Sequence, residues 1–228
     1  MKTYPFTLLL AGCIFLNANN QLSNLCKIID HIIIPEESIY RAFNEEGSLP
    51  KIESPCSEWT YTFFKEINGN QAIAIKGEGA GTSIKKLEFP TIFIYHQNKI
   101  PDDVKNAYQG CYLGNTKLDN PYYYLYNRME KAVGLESKYF KTEKGLYLGM
   151  SVEQLTKIYG NPHIIEIINF KPQKVLKFKW EVFGEEDSRY FKIIPKEMIC
   201  TDILAKFRLY VTITEGKVEQ IEIGYDML

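Results

Sequence analysis

Residues 207–225 read FRLYVTITEGKVEQIEIGY. Phe207, Leu209, Val211 and Ile213 alternate with Arg208, Tyr210 and Thr212, the period of a strand with one dry face and one wet face. Glu215-Gly216-Lys217 turns the chain, and Val218, Ile221, Ile223 and Tyr225 bring it back. The alternation slips after Val218, which predicts a β-bulge near Glu219. Upstream, Leu176, Phe178, Trp180 and Val182 alternate with Lys177, Lys179 and Glu181. Strands patterned this way form an antiparallel sheet whose apolar face has to be covered.

The cover is expected just before these strands. Ser151 precedes Val152, Leu155, Ile158 and Tyr159, an apolar stripe at helical spacing, and Gln154 stands where a capping box needs it. Gly149 lets the chain turn into the helix. Gly160 ends the helix and Pro162 forbids its continuation. The fold class read from residues 136–228 is therefore α+β, a helix packed on an antiparallel sheet.

The string Gly145-Leu146-Tyr147-Leu148-Gly149-Met150-Ser151, then Leu155, Tyr159-Gly160-Asn161-Pro162 and the closing Gly216-Lys217-Val218, resembles the SmpA/OmlA-type outer-membrane-assembly lipoproteins. It is also similar to the beta-lactamase inhibitor protein repeat. The resemblance covers roughly the last 80 residues, a small-domain length. It implies a protein-binding module and no catalysis. The segment from Gly184 to Asp202 is longer than such a module needs.

Residues 19–135 resemble no family and read as a mixed helix and hairpin region. Leu22, Leu25, Ile29 and Ile32 predict a helix stopped by Pro35, and a second short helix follows through Glu36 and Glu37 to Gly47. Trp59, Tyr61, Phe63 and Ile67 share one strand face, with Thr60, Thr62 and Glu66 on the other. Asn68-Gly69 predicts a hairpin into Ile73 and Ile75. Thr91 to Tyr95 is a further strand, and a helix is expected from Pro101 to about Gln109. Tyr122, Leu125, Tyr126, Met129, Ala132 and Val133 form one helical stripe capped at Gly134, leaving Tyr123 and Tyr124 as an aromatic contact surface or as packing under a loop.

The N-terminus fixes an address. Met1-Lys2, the apolar run from Tyr4 to Leu16 and a polar stretch from Asn17 make a secretory signal over residues 1–18. Its run of about 13 residues falls short of the roughly 20 that a spanning helix needs. Leu10-Ala11-Gly12-Cys13 matches a lipobox, with Cys13 lipidated. Cleavage after Ala18 is the rival. Either leaves Cys26, Cys56, Cys111 and Cys200, enough for two disulfides in an oxidising compartment.

Net charge is −1, so the chain has no basic footprint for nucleic acid, and its only expected tie to a membrane is a lipid anchor. With 45% hydrophobic and 24% charged residues it is composed as a packed globule. No catalytic, cofactor or metal constellation stands out. His31, His96 and His163 are scattered, and no cysteine pair has CxxC spacing. Gly77-Glu78-Gly79-Ala80-Gly81 lacks the third glycine of a dinucleotide loop, and Glu78 repels phosphate. Ser48, Ser54 and Ser57 have no catalytic partner. Glu185-Glu186-Asp187 lacks the spacing of a calcium loop.

The expected function is that of an exported, non-enzymatic envelope protein that binds another protein. A secreted inhibitor or immunity protein, or an enzyme with its site in the N-terminal region, are the alternatives. Phe178 and Trp180 are the candidate partner anchors, with a core role for Trp180 as the competing reading.

The intact mass of the chain from its host, measured denatured and without reduction, tests the address. It should begin at Cys13 with an added diacylglyceryl group, or at Asn19, with all four remaining thiols oxidised. Each disulfide contributes roughly 2–4 kcal/mol. A mass starting at Met1 defeats export, and four free thiols defeat the pairing.

Overall fold

The computed structural model describes residues 29–47, 59–78, 91–108, 122–169, 173–184, 199–200 and 206–226. The helices are α1 (Glu36–Gly47), α2 (Asp102–Tyr108), α3 (Tyr123–Glu130) and α4 (Val152–Tyr159). The strands are β1 (Trp59–Glu66), β2 (Gln71–Glu78), β3 (Thr91–His96), β4 (Val133–Leu135), β5 (Ile164–Asn169), β6 (Lys174–Gly184), β7 (Ile199–Cys200), β8 (Lys206–Thr214) and β9 (Lys217–Asp226). They form one sheet in the order β4-β1-β2-β3-β9-β8-β6-β5, with β7 beside β6. Pairing is antiparallel except for β1 with β4 and β6 with β7. The chain is thus α+β with a mostly antiparallel sheet.

The C-terminal hairpin follows its sequence pattern. Phe207, Leu209, Val211 and Ile213 are buried, and the residues between them are half-buried. Thr212 pairs with Gln220 but Ile213 pairs with Val218, so Glu219 is the extra residue of a bulge. Ser151 caps α4 by accepting from the Gln154 backbone N–H at 3.3 Å, and Gln154 Oε1 accepts from the Ser151 N–H at 3.2 Å. Gly149 (φ 90°) and Gly160 (φ 76°) hold the conformation that glycine adopts without steric cost. Pro162 stands between α4 and β5.

The sheet buries apolar side chains on both faces. On one face Phe64, Ile73, Ile92, Ile94, Ile221, Ile223, Leu209 and Trp180 form a single core with Ile39 and Ala42 of α1 and Leu155 and Tyr159 of α4. This core runs across the boundary at residue 135/136, because β3 pairs with β9 from Thr91↔Gly224 to Tyr95↔Gln220. On the other face Tyr61, Phe63, Phe93 and Tyr95 pack with Val104 and Tyr108 of α2 and Leu125 of α3.

The segment 29–35 is pinned by a buried carboxylate. Asp30 is 1% exposed and accepts from the backbone N–H of His31 at 2.8 Å, that of Lys144 at 3.2 Å, and the Tyr159 hydroxyl. Ile32 bridges Thr142, and Glu143 N–H donates to the His31 carbonyl at 2.8 Å. A buried charge costs several kcal/mol unless it is met by donors, so these bonds fix the segment in place.

Several expectations are corrected. Ile29 and Ile32 are not helical; Ile32 makes a bridge instead, while Leu22 and Leu25 lie outside the described residues. Ile67 sits in the hairpin turn, 52% exposed. Val133 and Gly134 do not end a helix but form β4 against Phe64 and Lys65. Tyr124 is buried and Tyr126 exposed, the reverse of the stripe, because α3 turns Tyr124 and Leu125 toward the sheet. Trp180 is 0% and Phe178 6% exposed. The Trp180 ring meets those of Tyr159 at 5.8 Å and Phe178 at 6.1 Å. Both are core residues, covered by α4 and the first half of the chain, and offer no surface to a partner.

Trp180→Ala should therefore lower the unfolding free energy by about 3–5 kcal/mol in urea denaturation, the cost of a large core cavity. A loss under about 1 kcal/mol would be that of a surface residue and would contradict this placement.

Candidate functional site

Beyond β3 the second face of the sheet changes character. Where β1, β2 and β3 carry aromatic rings under α2 and α3, β6, β8 and β9 carry Lys177, Lys179, Glu181, Lys206, Arg208, Tyr210 and Glu222. Their alternation with core residues puts them all on this face.

Two carboxylates organise it. Glu222, 5% exposed, accepts from Arg208 Nε at 3.2 Å and Lys177 Nζ at 3.5 Å. Glu181 accepts from Lys206 Nζ at 2.9 Å and from the Tyr210 hydroxyl. Burial pushes the Glu181 carboxyl up, but the bonds from Tyr210 and Lys206 outweigh it and hold it below the usual carboxylate value. Burial raises the Tyr210 phenol, as does its bond to Glu181. Three cations surround the Tyr210 ring, with Lys177 at 5.1 Å, Lys179 at 5.2 Å and Arg208 at 5.9 Å from its centroid.

Arg208 marks the border. A Cβ built on Gly224 would lie 2.7 Å from Arg208 Nε, so glycine is what lets the guanidinium cross β9. The side chain then reaches β3, where Arg208 donates to Thr91 Oγ1 at 2.9 Å. A cleft of about 300 Å³ opens here between the sheet and α2, lined among others by Tyr61, Phe93, Asp103, Asn106, Arg208 and Glu222. Phe93 and Tyr61 give it an apolar wall, and the two acids and Arg208 a polar one. This is the size of a small ligand pocket.

The sequence candidates fall elsewhere. His31 lies beside Asp30, His96 ends β3, and His163 accepts from the Glu181 N–H through Nδ1 at 3.2 Å. Burial lowers the His31 pKa. Among the described residues no group of three His, Cys, Asp or Glu could hold a metal ion. Cys13, Cys26, Cys56 and Cys111 lie outside the described residues, as do Ser48, Ser54, Ser57, Gly79–Gly81 and Glu185–Asp187, and of Cys200 only the backbone, in β7, is described. No helix among the described residues is long and apolar enough to cross a membrane. The Tyr210 lattice was missed as a site, although the alternation of Lys177, Lys179 and Glu181 with core residues already placed these charges on one face.

Glu181 supplies a pH test. Its folded pKa is below the ordinary 4.5, so the stability it contributes is present above that value and is lost as pH falls through the folded pKa. Glu181→Gln should flatten the acid limb of the stability curve below about pH 4.5 and leave its slope near neutrality unchanged. An unaltered acid limb in pH-resolved urea melts would contradict the assignment.

No family model, curated protein or solved structure matches the chain, so its chemistry has to be read from these residues.

Proposed function

We propose that the chain is an exported, non-enzymatic protein-binding module of the cell envelope, and that it binds with the polar face of β6, β8 and β9. One observation supports this most: the half-buried Tyr210, ringed by Lys177, Lys179 and Arg208 on a sheet face where, among the described residues, the apolar packing under α2 and α3 ends at β3. Tyrosine and arginine are the residues that most often carry binding energy at interfaces. Here they are held rigid by the sheet and by Glu181 and Glu222, so little side-chain entropy is lost when a partner docks. The helix-on-sheet arrangement implied by the family resemblance fits this reading, with the partner surface moved from Phe178 and Trp180 to the opposite face.

The signal over residues 1–18, with either Cys13 lipidation or cleavage after Ala18, brings the module to the envelope. An inhibitor or immunity protein would use the same face, the partner then being an enzyme or toxin. An enzyme with its site in the N-terminal region would need acids and a base in one pocket. The cleft beside α2 brings together Asp103 and Glu222 but not His96.

The test is photo-cross-linking in the host envelope. A photoreactive side chain at Lys179 should yield a discrete adduct, and one at Glu153, exposed on α4 away from this face, should not. Tyr210→Ala should weaken binding of the identified partner by more than tenfold, as a roughly 2 kcal/mol anchor would. Equal adducts from both positions, or turnover of an envelope substrate by the purified chain, would overturn the reading.

A further inference from the structure

β5 is the last strand of the sheet, and among the described residues no strand pairs with its outer edge. Its first five residues are Ile164-Ile165-Glu166-Ile167-Ile168, followed by Asn169. Edge strands are ordinarily blunted by lysine, proline or a bulge. This one has no lysine, proline or bulge in its first five residues and a single charge, Glu166, while Ile164, Ile165 and Ile167 are 44%, 55% and 56% exposed. Ile165 and Ile167 stand opposite Phe178 and Leu176, so they extend the core face of the sheet to its rim.

The five residues read the same in both directions. Antiparallel partners directly opposite one another share a face. A second copy of β5 centred on Glu166 therefore sets Ile165 against Ile167 and Ile164 against Ile168 on both sides of the axis. Only Glu166 meets its own kind. A bare pair of opposed carboxylates is destabilising. Each Glu166, however, carries its own Lys179 at 2.6 Å, so the two acids arrive already neutralised.

We propose that the chain self-associates through β5, a two-fold antiparallel pairing about Glu166 that joins two sheets into one. The occupant is a second copy because the strand complements itself in residue type, apolar face and charge. The pairing uses the backbone edge of β5, which adjoins the polar face through Lys179, the residue that meets both Glu166 and the Tyr210 ring. A six-residue edge makes a small interface, so association is expected on the order of tens of micromolar.

Sedimentation velocity of the full chain, from about one to several hundred micromolar, should show a monomer giving way to a dimer. Ile165→Lys and Ile167→Lys, both at exposed positions whose circular dichroism should match the parent, should each move that transition upward by at least tenfold. Opposed Cα atoms in such a pair lie about 4.5–5.5 Å apart, within disulfide range. Mild oxidation of Glu166→Cys should therefore give a covalent dimer beyond any formed by the parent chain, and Glu153→Cys should not. A monomer at every concentration overturns the proposal. So does a dimer indifferent to both lysine substitutions, or equal cross-linking from the two cysteine variants.

Discussion

The pairing of β3 with β9 is the joint on which the rest of the molecule depends. It sets Ile92 against Ile223 and Ile94 against Ile221 on one face, and Phe93 against Glu222 on the other. The first pairs fuse two stretches of chain into one apolar layer. The second is where an aromatic face gives way to a charged one. Because side chains alternate with a period of two, a slip of one residue at this seam would drive Glu222 into the core and Ile221 and Ile223 onto the polar face. The register is therefore fixed strongly, and with it the place of the cleft and of the Tyr210 lattice.

That lattice is costly to build. Desolvating Glu222 and Glu181 costs several kcal/mol each before their partners are counted, and buried ion pairs often do no better than apolar residues of the same volume. Their contribution lies in geometry. Arg208 can reach Thr91 only because Gly224 leaves room, and Tyr210 is fixed from below by Glu181 while its ring is flanked by cations. Among the described residues the aromatic packing of Tyr61 and Phe63 stops at β3, and β9 and β8 carry paired charges in its place.

Local signals in the sequence carried over where a single strand or helix turn decides the outcome. The alternation of β8, the bulge at Glu219 and the Ser151–Gln154 box each depend on residues within a few positions of one another. Where the pattern misled, contacts distant in sequence decided the outcome, through burial on two sides or through strand pairing. β1 shows alternation through Tyr61 and Phe63, yet Phe64 on its other face is fully buried too, because α1 covers one side and α2 and α3 the other. Trp180 looked equally suited to an interface or a core. Only the arrival of residues 29–42 and α4 over the same face decides between them. Val133 and Gly134 continue the period of α3 in sequence, but β1 offers them a strand edge, and pairing overrides the helical pattern. The Tyr210 site was half legible: its charges were visible on one face, but their focus on one ring needs the register of β6 against β8.

The resemblance to an assembly-lipoprotein module has to be weighed against the same geometry. A module beginning at residue 136 would leave Ile221, Ile223 and the β3-facing edge of β9 without β3. It would also deprive Tyr159 of Asp30, the carboxylate to which its hydroxyl donates. Asp30, in turn, is 1% exposed and takes two of its donors, the Lys144 backbone N–H and the Tyr159 hydroxyl, from the other part of the chain. Each part thus satisfies a buried group of the other. Leaving a buried charge unmet costs more than a pair of partners contributes net. In this chain, then, the helix and strands of residues 136–228 act as one part of a larger sheet. Their apolar face is occupied from within, by residues 29–42 and the strands of the first half.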